Sequence, residues 1–353
     1  MFKVHRDTYT HFVPKYALFS KSVFFLNHLE EELMMIHRVR ILCFFVLLLL
    51  LAACGNNTSH GNEQIESDVV ERDGFPVTIT DSVGREVTIE NEPETIISVQ
   101  ASTTEILFAI GVGDKVIGVS DYCNYPEEVE AIQKVGAQNM NAELILSLQP
   151  DLIFVTDYHY NNYEPILQQF EEAGITVVVT KSAESFAGVY ETIEMIGQAT
   201  GAADEAKAVI ADMNERIEQI REKAANEVTE KKRVWVELSP APDIFTTGKG
   251  TFMHEMLETI QAINVAGDLE GWVKLTEEEI VQLDPDVIIT TYGYYVDTPS
   301  EDILKRAGWE EVPAIKNKQV FDVDNDTVTR PGPRLVEGVE TLAEFIYPEV
   351  FSE

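Results

Sequence analysis

The sequence predicts an α/β protein of two similar lobes, each built on a mainly parallel sheet, joined by one long rigid helix. Three observations carry that prediction. Short β-branched runs alternate with helical patterns along most of the chain, as parallel β–α–β units require. A 14-residue segment recurs: Glu143 to Thr156 (ELILSLQPDLIFVT) aligns with Glu278 to Thr291 (EEIVQLDPDVIITT) at an offset of 135, with seven identical positions. Between the copies, Ala202 to Val228 carries one apolar stripe at three- and four-residue spacing, from Ala206 through Met213 and Ile217 to Ala224. The repeat places the lobes at 75–182 and 231–353, with the linking region at 183–230.

The elements follow in chain order. Ile41 to Ala53 (ILCFFVLLLLLAA) is too short to span a bilayer comfortably but suits the core of a secretion signal, with Arg38 and Arg40 as its basic flank. Leu51-Ala52-Ala53-Cys54-Gly55 matches a bacterial lipobox. Cys54 is therefore expected to be acylated and to become the mature N-terminus, anchored at the outer face of the cytoplasmic membrane. The signal is read as 34–53, starting at Met34 or Met35, and residues 1–33 as an upstream extension beyond the natural start. Residues 54–74 are polar and without apolar period, which predicts a flexible tether. Maturation leaves Cys123 as the only thiol, which excludes a disulfide scaffold.

Phe75 to Ile89 alternates β-branched and polar residues around Asp81-Ser82-Val83-Gly84 and predicts a hairpin. Ile96 to Val99 reads as a short buried strand. Ser102-Thr103-Thr104-Glu105 has capping-box spacing, predicting a helix that starts at Ser102, runs to Ile110 and ends at Gly111. Each copy of the repeat reads as an acidic helix start, a short helix, a Pro-Asp turn and a buried strand. The linking helix would be about 40 Å long at 1.5 Å per residue. A single helical linker predicts small tilting between lobes and no wide hinge closure. Pro331 and Pro333 fix how the chain enters a last helix near Leu335 to Ile346.

Charge and motifs narrow the function. The 353 residues include 61 acidic and 26 basic side chains, a formal charge of −35, which argues against nucleic acid or an anionic membrane as a partner by charge alone. Catalytic motifs are incomplete. Thr247-Gly248-Lys249-Gly250-Thr251 lacks the first phosphate-loop glycine, because Asp243 stands there. His254-Glu255 lacks the second histidine of a zinc protease helix, and Asp322, Asp324 and Asp326 lack the glycine and closing glutamate of a calcium loop. Neither GxSxG nor CxxC occurs, and a zinc receptor would need more histidines than His159 and His254. No enzyme activity and no resident metal or cofactor is expected.

Binding is better supported. In parallel α/β sheets, ligands lie beyond the carboxyl ends of the strands. The two repeat strands run into Asp157-Tyr158-His159-Tyr160-Asn161-Asn162-Tyr163 and Tyr292-Gly293-Tyr294-Tyr295, while Tyr122 and Tyr125 follow Val119. These loops bring tyrosines toward one cleft, as large rigid faces suited to a bulky ring or chelate.

The pattern resembles a family, the solute-binding proteins of ABC importers for iron chelates, haem and vitamin B12. The resemblance runs from about residue 75 to the C-terminus and rests on Glu94-Thr-Ile-Ile-Ser-Val, Ser102-Thr-Thr-Glu-Ile-Leu, Gly111-Val-Gly-Asp-Lys-Val-Ile-Gly118, Asn141-Ala-Glu-Leu-Ile, Gln149-Pro-Asp-Leu-Ile153, Gly250-Thr-Phe and Arg330-Pro-Gly-Pro-Arg334. It implies two Rossmann-like lobes in the class III periplasmic-binding-protein arrangement. It also implies a monomeric, lipid-anchored receptor that clamps a small molecule and hands it to a permease whose ATPase subunits hydrolyse ATP. Glu143 and Glu278, each seven residues before a Pro, match the carboxylates with which the family docks on permease arginines. Vitamin B12-binding members look nearest: Tyr122 and Trp272 match ring-stacking residues, although Ala137 stands where that subgroup can carry another tryptophan. Cobalamin is the favoured ligand. A ferric siderophore is the rival, with Arg330 and Arg334 pairing anionic chelate oxygens, and haem the third, with His159 or a cleft tyrosine on iron. The candidate ligand contacts are Tyr122, Tyr158, His159, Tyr160, Trp272, Tyr292, Tyr294, Tyr295, Arg330 and Arg334. A cell-surface signalling or adhesion module on the same fold is the alternative class.

Overall fold

The computed structural model describes residues 74–352; the expected upstream extension, the expected signal segment, Cys54 and all of the expected tether but Gly74 lie outside the described residues. The first hairpin pairs β1 (Val77–Thr80) with β2 (Glu86–Ile89) in antiparallel register, Val77 opposite Ile89. Its turn is closed by the Asp81 carboxylate, which accepts from the Val83 and Arg85 amides and from Arg85 Nε at 2.8 Å. The Arg85 guanidinium also donates to the Val177 carbonyl, which ties the hairpin to the lobe behind it.

The first lobe continues with β3 (Ile96–Ser98), helix α1 (Ala101–Ala109), β4 (Val116–Val119), β5 (Gln133–Lys134), α2 (Ala142–Leu148), β6 (Leu152–Thr156), α3 (Asp157–Asn162) and β7 (Thr176–Thr180). Its five strands form one parallel sheet in the order β5-β4-β3-β6-β7. The helix expected at Ser102 begins one residue earlier, with Gln100 at the N-cap and no side-chain cap. Ser102 is buried inside the helix, and Glu105 points away from the cap to partners described below.

The expected long helix is the 25-residue α5 (Ala203–Glu227), and a second helix, α4 (Phe186–Thr200), capped by Ser185, precedes it in the crossover. They approach closely at Gly197, where a Cβ would come within 2.4 Å of the Ala206 Cβ. The second lobe then adds β8 (Arg233–Glu237), β9 (Phe245–Thr247), β10 (Ile263–Asn264), β11 (Trp272–Lys274), α6 (Glu277–Gln282), β12 (Val287–Thr290), β13 (Val320–Asp322), α7 (Asn325–Thr329) and α8 (Leu335–Ile346). Four of its strands form a parallel sheet in the order β10-β8-β12-β13, while β9 and β11 pair antiparallel as a separate flap. The order β4-β3-β6-β7 in one lobe matches β10-β8-β12-β13 in the other, strand for strand. The sequence repeat is therefore a repeat of topology, and the halves remain two sheets.

Period-2 alternation assigns each sheet two buried faces. Ile96 and Phe154 face inward, Ile97, Ile153 and Val155 outward; Val234 and Val236 face inward, Trp235 outward. The inward faces join a single apolar cluster that passes through Ile193, Ile196, Met213 and Ile217 of the crossover and on to Val339 and Leu342 of α8. Arg216 of α5 locks onto Glu340 of α8 through two guanidinium nitrogens, at 3.0 and 2.8 Å. The crossover thus belongs to the core of both lobes.

Candidate functional site

The loops that leave the carboxyl ends of the two sheets carry the exposed aromatic side chains. Tyr122 follows β4 and is 67% exposed, and Tyr125 and Tyr158 are exposed on the same lobe. On the other lobe Tyr294 is 74% exposed and meets Tyr295 edge to face at 4.7 Å between ring centroids. The flap supplies Trp272, which is 53% exposed. Its register sets Trp272 opposite Thr247 and Lys274 opposite Phe245, so Trp272 and exposed Phe245 share one face. Phe245 is missing from the sequence reading. Phe-Thr-Thr shows no contrast between faces, and only the pairing with β11 reveals which side the ring occupies.

These rims are held from below. Asp322, at the end of β13, accepts from Thr290 Oγ1 at 2.6 Å and from the Gly293 amide at 3.2 Å. Beneath the Tyr292–Tyr295 turn lies the fully buried Glu237, which accepts from the Tyr292 hydroxyl at 2.8 Å, from Trp235 Nε1 at 3.3 Å and from two Arg306 nitrogens at 3.0 and 2.8 Å. Burial works against the Arg306 charge, but hydrogen bonding and attraction to Glu237 prevail and raise its pKa. A buried carboxylate with every oxygen engaged is a fixed post, and removing one partner would leave an uncompensated charge.

Five expected ligand contacts are placed differently. Tyr292 is only 2% exposed, and burial together with Glu237 raises its pKa, so it supports the turn and leaves the lining to Tyr294 and Tyr295. His159 is likewise 2% exposed; its Nε2 lies 2.9 Å from the Ala137 carbonyl, and its Nδ1 receives the Thr156 amide at 3.3 Å. With both nitrogens occupied it is a strut that caps α3, and burial lowers its pKa. Tyr160 is half-buried, packs into the outer cluster of its lobe and receives the Arg85 guanidinium 5.3 Å from its ring centroid, on the hairpin side. Tyr158, by contrast, stays at the rim.

The arginine pair is placed differently as well. Arg330 and Arg334 are spent on the opposite lobe. Glu105 of α1 accepts from Arg330 Nη1 at 3.0 Å and from Arg334 Nε and Nη2 at 3.0 and 2.8 Å. Arg330 also donates to Asn124 Oδ1 at 2.6 Å and to the Tyr122 carbonyl at 3.3 Å, and Asn124 donates in turn to Asp326 at 2.9 Å. The Arg334 guanidinium lies 4.0 Å from the Tyr125 ring centroid. The loops beyond β4 and β13 are therefore in contact across the two lobes.

Glu143 and Glu278 sit in the first turns of α2 and α6, both exposed. Asn141 caps α2 through the Leu144 amide, and Thr276 with Glu279 forms a capping box on α6. Because neighbouring side chains do the capping, neither glutamate is needed by its own helix, and neither forms an ion pair among the described residues.

The chain belongs to the periplasmic binding protein family, whose model matches residues 96–327. An ABC transporter substrate-binding lipoprotein of Bacillus subtilis, YvrC, is 46% identical over 305 residues, covering 86% of this chain and 95% of the relative. A cobalamin-binding protein of Halobacterium salinarum is 29% identical over 279 residues, covering 76% and 73%. Among solved structures, a possible iron-binding periplasmic solute-binding protein of Staphylococcus epidermidis matches at 35% identity with a TM-score of 0.66, over 73% of this chain and all of the other.

Proposed function

We propose that this chain is the extracytoplasmic receptor of an ABC importer, lipid-anchored through Cys54 and monomeric, that seats a corrinoid between its lobes and delivers it to the permease. The observation that carries this reading is the set of exposed aromatic rings on both lobes, Tyr122 on one and Trp272, Tyr294 and Tyr295 on the other, with the Tyr122 loop in contact with the other lobe through Arg330. Such faces suit a large, flat ring system. The similarity to a cobalamin-binding protein supports the corrinoid, and the similarity to YvrC supports the importer and the anchor. Glu143 and Glu278 would meet permease arginines, since exposed helix-start carboxylates without partners suit charge-assisted docking.

A ferric siderophore is the second reading, favoured by the likeness to the staphylococcal protein. Haem loses its histidine ligand, because His159 holds Ala137 and Thr156.

Titration of intrinsic fluorescence tests the ligand. Trp235 and Trp309 are fully buried, so Trp272 is the reporter at the rim. Cyanocobalamin is expected to quench it saturably, and Trp272→Phe to remove most of that signal. Quenching by ferric chelates alone would defeat the corrinoid. A lack of saturation by cobalamin, ferric chelates and haemin would favour an adhesion or signalling module.

A further inference from the structure

Resting on the reading of the aromatic rims as the ligand site, we infer that Glu105 sets the charge selectivity of that site, neutralising Arg330 and Arg334 so that it excludes anionic chelates and accepts uncharged ones. The two guanidiniums lie beside the Tyr122–Tyr125 rim: Arg330 touches the Tyr122 carbonyl, and Arg334 stacks on Tyr125. They face Glu105, Asp326 at 3.0 Å from Arg330, and Asp324 at 3.9 Å from Arg334. Three carboxylates against two guanidiniums leave the cluster at a formal charge of −1.

The neutralisation is built into the fold. The Glu105 side chain is 2% exposed, so it contributes no accessible negative surface and serves only to consume arginine donors. It is also supplied by the opposite lobe, so bringing the lobes together is what masks the arginines. A trianionic ligand would have to displace a buried carboxylate from a bidentate guanidinium, leaving that carboxylate unpaired. A neutral ring resting on the aromatic side chains leaves the cluster intact.

A matched pair of probes tests this independently of cobalamin. A trianionic ferric triscatecholate and a neutral ferric trihydroxamate are titrated into wild type and Glu105→Gln. The variant frees both arginines of one facing charge, and its affinity for the triscatecholate is expected to rise by about tenfold relative to the trihydroxamate. Asp326→Asn, at a partly exposed position, is expected to shift the ratio the same way by about threefold, and serves if Glu105→Gln does not fold. An unchanged ratio in the variants that fold, or wild type preferring the triscatecholate, overturns the inference. Failure of cyanocobalamin to bind wild type defeats the corrinoid reading alone, provided the ferric pair binds, and a site that takes neither ferric chelate in wild type or variant overturns the inference.

Discussion

At the scale of single residues, a side chain's chemistry is decided by what its polar atoms already hold. His159 has the residue type of an iron ligand and the loop position of one, yet the Ala137 carbonyl and the Thr156 amide occupy its ring. The Ala137 carbonyl can only accept, which places the proton on Nε2 and leaves Nδ1 as the acceptor. Burial holds its pKa below the ordinary value, so below about pH 6.5 the unfolded chain binds a proton that the folded chain resists. Its contribution to stability is thus present above that pH and is lost as pH falls through the folded pKa. Urea unfolding between pH 7.5 and 5.5 is expected to show wild type losing more stability than His159→Gln; equal slopes would mean that the imidazole is not held neutral. Glu105 teaches the same lesson. Its spacing from Ser102 advertises a helix cap, but its partners lie on the opposite lobe, 225 and 229 positions along the chain. Local spacing is legible in a sequence, whereas the competing long-range ion pair is not.

At the scale of elements, the rims depend on tight turns under the exposed rings. Gly293 is the clearest case, because a Cβ there would come within 2.0 Å of Asp322 Oδ2. That carboxylate also holds Thr290 Oγ1 and the Gly293 amide, so it has little freedom to retreat. Gly293→Ala is expected to cost about 1–3 kcal/mol in urea unfolding and to weaken ligand binding by displacing Tyr294 and Tyr295. Wild-type stability and affinity in this variant would show that the turn adapts freely. Strands, the hairpin and the long helix were legible because burial on one or both faces leaves a period in the sequence. The flap was harder: its strands are three residues each, too short for a period, and Phe245 acquires its face only by pairing with β11.

At the scale of the whole molecule, one apolar cluster runs from the first sheet through the crossover helices to the second. A core shared by both lobes favours small tilting, since opening them widely would expose buried side chains such as Met213 and Ile217. The proposed docking on a permease would then use a surface of fixed geometry. Glu143 and Glu278 occupy equivalent places in the two lobes, at the starts of α2 and α6. Charge reversal of both, Glu143→Lys with Glu278→Lys, is expected to abolish uptake in cells while leaving ligand affinity within about twofold, because neither carboxylate supports the rim or caps its helix. Retained uptake would remove the docking role from both.

The sequence by itself determined the α/β class, the duplication and the long crossover helix, which are written as periodicity or as a repeated segment, while motifs spread from Glu94 to Arg334 carried the resemblance to the family. It also placed most of the aromatic residues, because loops after buried strands can be found by following the strands. Tertiary structure alone decided which of those residues reach the surface and which serve as posts. His159 and Tyr292 went inward, Phe245 came outward, and the two arginines of the last motif were claimed by Glu105. The reason is physical: burial and charge pairing depend on neighbours brought together from distant parts of the chain, and a linear pattern records only the neighbours along it.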